Sequence, residues 1–144
     1  MVLCLLIRFQ TKLVSRIREL REEQKIQQSD FAERAGVSRQ TIYYLERGES
    51  VPKLDLSYKI AKIFNKSIEE VFYYEPILNG LIRNKTGGEL EEIAKILGMK
   101  LGNLMNLMDF TDVDLSEKFS KTDLIKMAEA FDVKFEELFI EEGE

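Results

Sequence analysis

The sequence contains no histidine, and its single cysteine is Cys4. Metal sites built from imidazole and thiolate, a Ser-His-Asp or Cys-His catalytic pair and an intramolecular disulfide are all excluded as readings. Glycine and proline are sparse, at 8 and 2 residues, so collagen-like and low-complexity classes do not apply. No apolar run approaches the ~20 residues of a membrane helix. The most apolar stretch near the start, residues 2–7, is too short for a signal-peptide core and is followed by Arg8. A cytoplasmic, non-catalytic protein with no metal and no cofactor is expected.

What the 144 residues do contain is 44% hydrophobic and 33% charged side chains, an ordinary globular mixture that buries a core in one or two small domains. The net charge of −5 is unevenly spread: residues 1–75 carry +2 and residues 76–144 carry −7. Only the first half is suited to lie against a polyanion.

Helical spacing of Leu13, Ile17 and Leu20 predicts a first amphipathic helix from residue 13 to about residue 25. A second begins near Gln28 and Ser29, with Asp30 and Glu33 placed for a capping box, and stops at Gly36. Ser38 caps a third over residues 39–47, ended by Gly48. Pro52 breaks the chain before a fourth helix marked by Leu56, Ile60, Ile63 and Phe64. Ser67 and Glu70 then form a capping box for a short fifth. Residues 73–78, with Pro76, read as extended. The Val/Ile/Leu-rich residues 2–9 admit two readings, a short antiparallel β-ribbon with residues 73–78 or a helical extension of the first helix.

Residues 84–88, Asn-Lys-Thr-Gly-Gly, read as a turn or linker. Beyond them helical patterns recur at residues 90–97, 101–108, 122–131 and 135–139, with residues 109–114 as an acidic loop. The expected fold is all-α: a five-helix domain over residues 1–75 and an acidic, all-helical dimerisation or partner-binding domain over residues 76–144.

Residues 28–48 form a helix-turn-helix pattern, with small Ala32 at the helix contact, Gly36 at the turn, and Val37, Ile42 and Leu45 filling the angle. This leaves Arg39, Gln40, Thr41, Tyr43 and Tyr44 facing outward. A guanidinium and an amide at the start of the third helix are the two groups whose fork geometry matches guanine O6/N7 and adenine N6/N7 in a major groove. Gln28 with the second helix's free N–H groups would meet one phosphate backbone, and Arg47 with Lys53 the other.

Residues 13–72 resemble the Cro and lambda-repressor type of helix-turn-helix regulator, the XRE family. The resemblance rests on Ile-Arg-Glu-Leu-Arg at 17–21, residues 28–35, Gly-Val-Ser-Arg-Gln-Thr-Ile at 36–42, Leu45-Glu46-Arg47-Gly48, Pro52, and Lys59-Ile60-Ala61 before Phe64. It implies a sequence-specific regulator, commonly a repressor, that reads a palindromic double-stranded operator as a homodimer. It places Gln28, Ser38, Arg39, Gln40, Thr41 and Tyr44 on DNA-contacting positions and Arg21 with Glu46 on a structural ion pair. Gln27 departs from the family's Ser or Thr cap, which moves the expected cap to Ser29. An alternative from another class is a protein-interaction module of the same fold, as in antitoxins or coactivators, whose main ligand is a partner protein.

The chain also matches itself. At an offset of 62 residues, Leu20-Arg21 falls on Ile82-Arg83, Phe31-Ala32 on Ile93-Ala94, Gly36 on Gly98, Ile42 on Leu104 and Leu45 on Leu107. At an offset of 67, Lys59-Ile60-Ala61 falls on Lys126-Met127-Ala128 and residues 69–72 on 136–139. The second half therefore reads as a degenerate copy of the same fold. Its counterparts of Ser38, Arg39, Gln40 and Tyr44 are Lys100, Leu101, Gly102 and Asn106, so the polar tip is gone. Leu101, Met105 and Met108 are expected to form the dimer or partner contact, unless the acidic loop folds over them.

Overall fold

The computed structural model describes residues 6–142. The chain opens on two short strands, β1 (Leu6–Phe9) and β2 (Thr11–Ser15), which go to different partners. Contacts divide the described chain into residues 12–75 and a second unit made of residues 6–11 with 76–142.

In the first unit β2 leads into α1 (Ile17–Glu23), α2 (Gln28–Ala35), α3 (Arg39–Glu46), α4 (Leu54–Phe64) and α5 (Ile68–Val71), and the chain leaves through β3 (Phe72–Pro76), the partner of β2. Ile17, Leu20, Phe31, Ile42, Leu45, Ile60, Phe64 and Val71 are its buried core. Phe31 stacks on Phe64 with centroids 4.9 Å apart. The first helix is shorter than its periodicity suggests, because residues 11–15 are a strand. Leu13 reaches the same core from that strand, which is why its spacing mimics a helical turn. At α2 neither expected cap, Ser29 nor the Asp30–Glu33 box, forms: Gln27 occupies the N-cap with no side-chain hydrogen bond, and Ser29, Asp30 and Glu33 already lie inside the helix. The Ser67–Glu70 capping box is present.

The second unit continues with α6 (Ile77–Arg83), α7 (Gly87–Leu97), α8 (Leu101–Met105), a 3-10 turn over Asn106–Asp109, α9 (Asp112–Lys118), α10 (Lys121–Ala130), α11 (Phe135–Leu138) and β4 (Phe139–Glu142). The expected pairing of residues 2–9 with 73–78 is not what forms. Among the described residues, β1 pairs antiparallel with β4, Phe9 opposite Phe139 and Leu6 opposite Glu142, while residues 1–5 lie outside the description. Pairing with the end of the chain buries Ile7 and Phe9 in the second core beside Leu78, Leu104, Leu115, Leu124, Leu138 and Phe139. Burial selected this register, since it puts Ile7 and Phe9 of the alternating strand inside and leaves Leu6 and Arg8 outside.

Three further expectations are corrected. Ile77 and Leu78 are helical rather than extended. Gly87 and Gly88 open α7 instead of making a linker, because Thr86 and Glu89 form a capping box that nucleates the helix there. The expected acidic loop at 109–114 instead ends a 3-10 turn at Asp109 and opens a helix, α9, at Asp112, with Thr111 and Asp114 as its capping box. Its acids are used: Asp112 accepts the Phe9 N–H at 2.9 Å and lies 3.8 Å from Arg8, and Ser116 donates to the Ile7 carbonyl at 3.0 Å. α9 thus covers β1. The fold is mostly helical with two small two-stranded ribbons.

Candidate nucleic-acid interface

The turn between α2 and α3 is set by Gly36, whose φ of +73° is left-handed, and by the Val37 N–H returning to the Ala32 carbonyl at 3.0 Å. Ile42 and Leu45 are fully buried and fix which side of α3 faces the core. Ser38 caps α3, its hydroxyl accepting the Thr41 N–H at 3.1 Å. The opposite side of α3 therefore presents Arg39, Gln40, Tyr43 and Tyr44 to solvent, with Thr41 half-buried.

A chain of hydrogen bonds holds one edge of this surface. Arg21 Nε donates to Glu46 Oε1 at 2.8 Å, with the two side chains only 12% and 6% exposed. Arg21 Nη1 also donates to the Ile26 carbonyl at 2.9 Å. Gln28 Nε2 donates to the other Glu46 oxygen at 2.9 Å, and Gln28 Oε1 accepts from Arg39 Nε at 3.0 Å. Glu46 is the hub, and Arg39 is the outermost member. Because its Nε is engaged, its guanidinium plane is oriented while its terminal amino groups remain at the surface. The sequence reading marked each of these four residues and paired Arg21 with Glu46, but it did not join that pair to Gln28 and Arg39.

Gln28, Arg39, Tyr43 and Arg47, together with Arg18, border a shallow depression of about 310 Å³. Thr41 and Lys53 border a different one, of about 480 Å³, which also meets Gly36 and Lys59. Gln40 and Tyr44 join along α3 at 3.4 Å. Tyr43 lies edge-on to Tyr44, and the Arg47 guanidinium sits 5.3 Å above the Tyr43 ring. Arg47 is already engaged, its Nε donating to Glu49 Oε1 at 2.7 Å; that hydrogen bond, then the charge of Glu49, raises the guanidinium pKa from its ordinary value. The pair is exposed, so exchanging Glu49 for a phosphate costs little. Arg18 and Lys59 were missed by sequence reasoning, although Arg18 lies three residues before Arg21 on the same helix face.

A family model described as helix-turn-helix matches residues 17–71. The chain belongs to that family of Cro and repressor-type regulators. An uncharacterized HTH-type transcriptional regulator of Archaeoglobus fulgidus is 44% identical over 61 residues, 42% of this chain and 86% of the relative. A regulator of the same description from Methanocaldococcus jannaschii is 43% identical over 61 residues, 42% of this chain and 92% of its own. One from Bacillus subtilis is 39% identical over the same length and shares. The helix-turn-helix match ends at the close of the first unit and does not reach α6–α11.

In that second unit, Leu101 and Met108 are half-buried against the unit's own core, whereas Met105 is 43% exposed. The three do not make a continuous exposed patch. No helix among the described residues is long and apolar enough to cross a membrane, and none of their carboxylates groups as a metal site.

Proposed function

We propose that this helix-turn-helix protein is a sequence-specific transcriptional repressor that lays α3 in the major groove of a palindromic operator and binds it as a homodimer. The observation that carries the reading is the oriented Arg39 beside Gln40 at the N-terminal end of α3, exposed and held from behind by Gln28, Glu46 and Arg21. Arg39 and Gln40 read base edges, Gln28, Ser38 and Thr41 fix the phosphates at the start of α2 and α3, and Tyr43, Tyr44, Arg47 and Lys53 meet the flanking backbone. One small reading head binds weakly, and two joined copies reach about 10⁻⁸ M or tighter at physiological salt.

Residues 76–142 are a worn copy of the reading head that does not bind DNA. Supporting this, the two units run through the same elements at the offsets seen in the sequence. α2 and α3 correspond to α7 and to α8 with its 3-10 turn, α4 and α5 to α10 and α11, and left-handed Gly36 and Asn65 to left-handed Gly98 and Asp132. α9 occupies the place where the offset changes. The net −7 of residues 76–144 and the loss of donors at Leu101 and Gly102 argue against a duplex. Its dimer contact centres on Met105, flanked by Leu101 and Met108. A second reading puts that contact on the first unit, where Val51, Leu54 and Tyr58 are exposed around the start of α4.

Selection of bound sites from a random duplex library tests the operator reading. Arg39→Ala and Gln40→Ala should each lower specific affinity by about 1–3 kcal/mol while sparing non-specific binding. Lys53→Ala should weaken all sequences alike and flatten the salt slope by about one unit. Full retention of operator preference by both α3 variants would refute the assignment. Sedimentation of Met105→Lys against Leu54→Lys decides which surface joins the copies.

A further inference from the structure

Half of the eight basic residues of the acidic second half gather at one place. Lys100 and Lys118 border a depression of about 570 Å³. Lys95 and Lys126, with Lys118 again, border an adjoining one of about 420 Å³. The two depressions share Met99 and Phe119, so they form one groove with an apolar floor. Phe110, packed 6.0 Å from Phe119, extends that floor.

The charges of Asp114 and Asp123 act on Lys118 and Lys126 from a distance, but no direct ion pair forms. Among the described residues none of the four is ion-paired, whereas Lys121 of the same unit is held by Glu141 at 2.6 Å. The one carboxylate that lines the groove, Asp123, accepts the N–H of Ser120 at 2.9 Å in the capping box of α10. Asp114, one turn before Lys118, is likewise turned back to the Thr111 N–H at 3.0 Å. Both acids are committed to their own helix ends. In a half-molecule of net −7, four exposed cations without a direct ion pair around one apolar groove are an arrangement that a ligand, not the fold, would use.

We infer that this groove docks an acidic amphipathic segment of a partner protein, whose aromatic or aliphatic side chains enter the two depressions and whose Asp and Glu residues meet Lys95, Lys100, Lys118 and Lys126. Charge complementarity argues for this occupant. Depressions of this size admit the aromatic or aliphatic side-chain anchors of a docked peptide. A duplex is the poorer fit, because a phosphate backbone follows a convex cationic surface and leaves an apolar floor empty. The inference stands on residues of the second unit and does not depend on which sequence α3 reads.

The test is selection from a displayed library of random peptides of roughly 12 residues against the full chain, followed by anisotropy titration of the labelled winners. The expected winners combine Asp or Glu with Phe, Leu or Ile, and weaken as salt rises. Lys100→Glu combined with Lys118→Glu should reduce their affinity by at least about tenfold while leaving the thermal melt and the selected duplex affinity within about twofold. Ile96→Asp, at a 67% exposed position on the groove wall, should weaken them without unfolding the unit. Failure to enrich any peptide, winners without acidic residues, or charge reversal that leaves their binding unchanged overturns the inference. Charge reversal that abolishes duplex binding overturns it too, by assigning the lysines to DNA.

Discussion

Replacing Arg21 by Ala removes one partner of a largely buried ion pair. The Glu46 carboxylate, 6% exposed, keeps only the Gln28 amide as a donor, and the Ile26 carbonyl loses the Arg21 Nη1 donor. Stranding a buried charge costs about 3–5 kcal/mol, and the surviving Gln28 hydrogen bond places this case near the lower end, about 3 kcal/mol. For a domain of this size, that corresponds to a fall of roughly 10–20 °C in the melting of the first unit. Arg21→Lys should recover only part of it, since an ammonium cannot serve Glu46 and the Ile26 carbonyl with the same planar fork. Arg21→Met with Glu46→Leu should recover more, because it removes both charges together. Thermal melts followed by circular dichroism measure the series. An Arg21→Ala protein melting within about 2 °C of wild type, or a double variant worse than the two singles combined, would refute the reasoning.

A glycine series separates backbone strain from collision: alanine in the left-handed region costs about 1–2 kcal/mol by itself. Gly98→Ala should cost only that, because nothing lies within 4 Å of the added carbon; Gly36→Ala displaces the flexible tip of Lys59, and Gly48→Ala meets the Leu13 carbonyl at 2.9 Å and should be the most damaging in a melt. Deleting residues 1–9 exposes the sites of Ile7 and Phe9, worth about 1.5–3 kcal/mol each, and should destabilise the second unit while the first keeps its amide spectrum; an unchanged melt of both would contradict the β1–β4 pairing. Glu70, Glu89, Asp114 and Asp123 accept the backbone N–H of Ser67, Thr86, Thr111 and Ser120, and this holds their carboxyls below 4.5 for Glu and 3.8 for Asp. Their folded pKa values are depressed, so their contribution is complete above those values and is lost as pH falls through the lower, folded ones. Urea midpoints should therefore drop on acidification below the ordinary carboxylate range, less steeply in Asp123→Asn, which removes one of these carboxyls; flat midpoints there would reject the prediction.

The reading head was legible because its signals are local. Gly36 and Gly48 end helices through their own φ, Ser38 and Ser67 cap through neighbours three residues on, and Ile42 and Leu45 take the core side by helical period alone. Arg21 and Glu46, 25 positions apart, were placed only by family resemblance, since no local rule joins them. The same local logic misled wherever a distant partner decided. Leu13 has helical spacing but lies in a strand, because β3 supplies hydrogen bonds that residues 11–15 cannot find among themselves. Residues 2–9 carry a strand signal with no address. Two segments were available to pair with them, and the choice of residues 139–142 over 73–78 came from the burial of Ile7 and Phe9 and from α9 closing over β1. Periodicity and capping are written within a few residues of where they act. Pairing across more than a hundred positions, and the side on which lysines from several helices gather, are settled only when the whole chain competes for the same core.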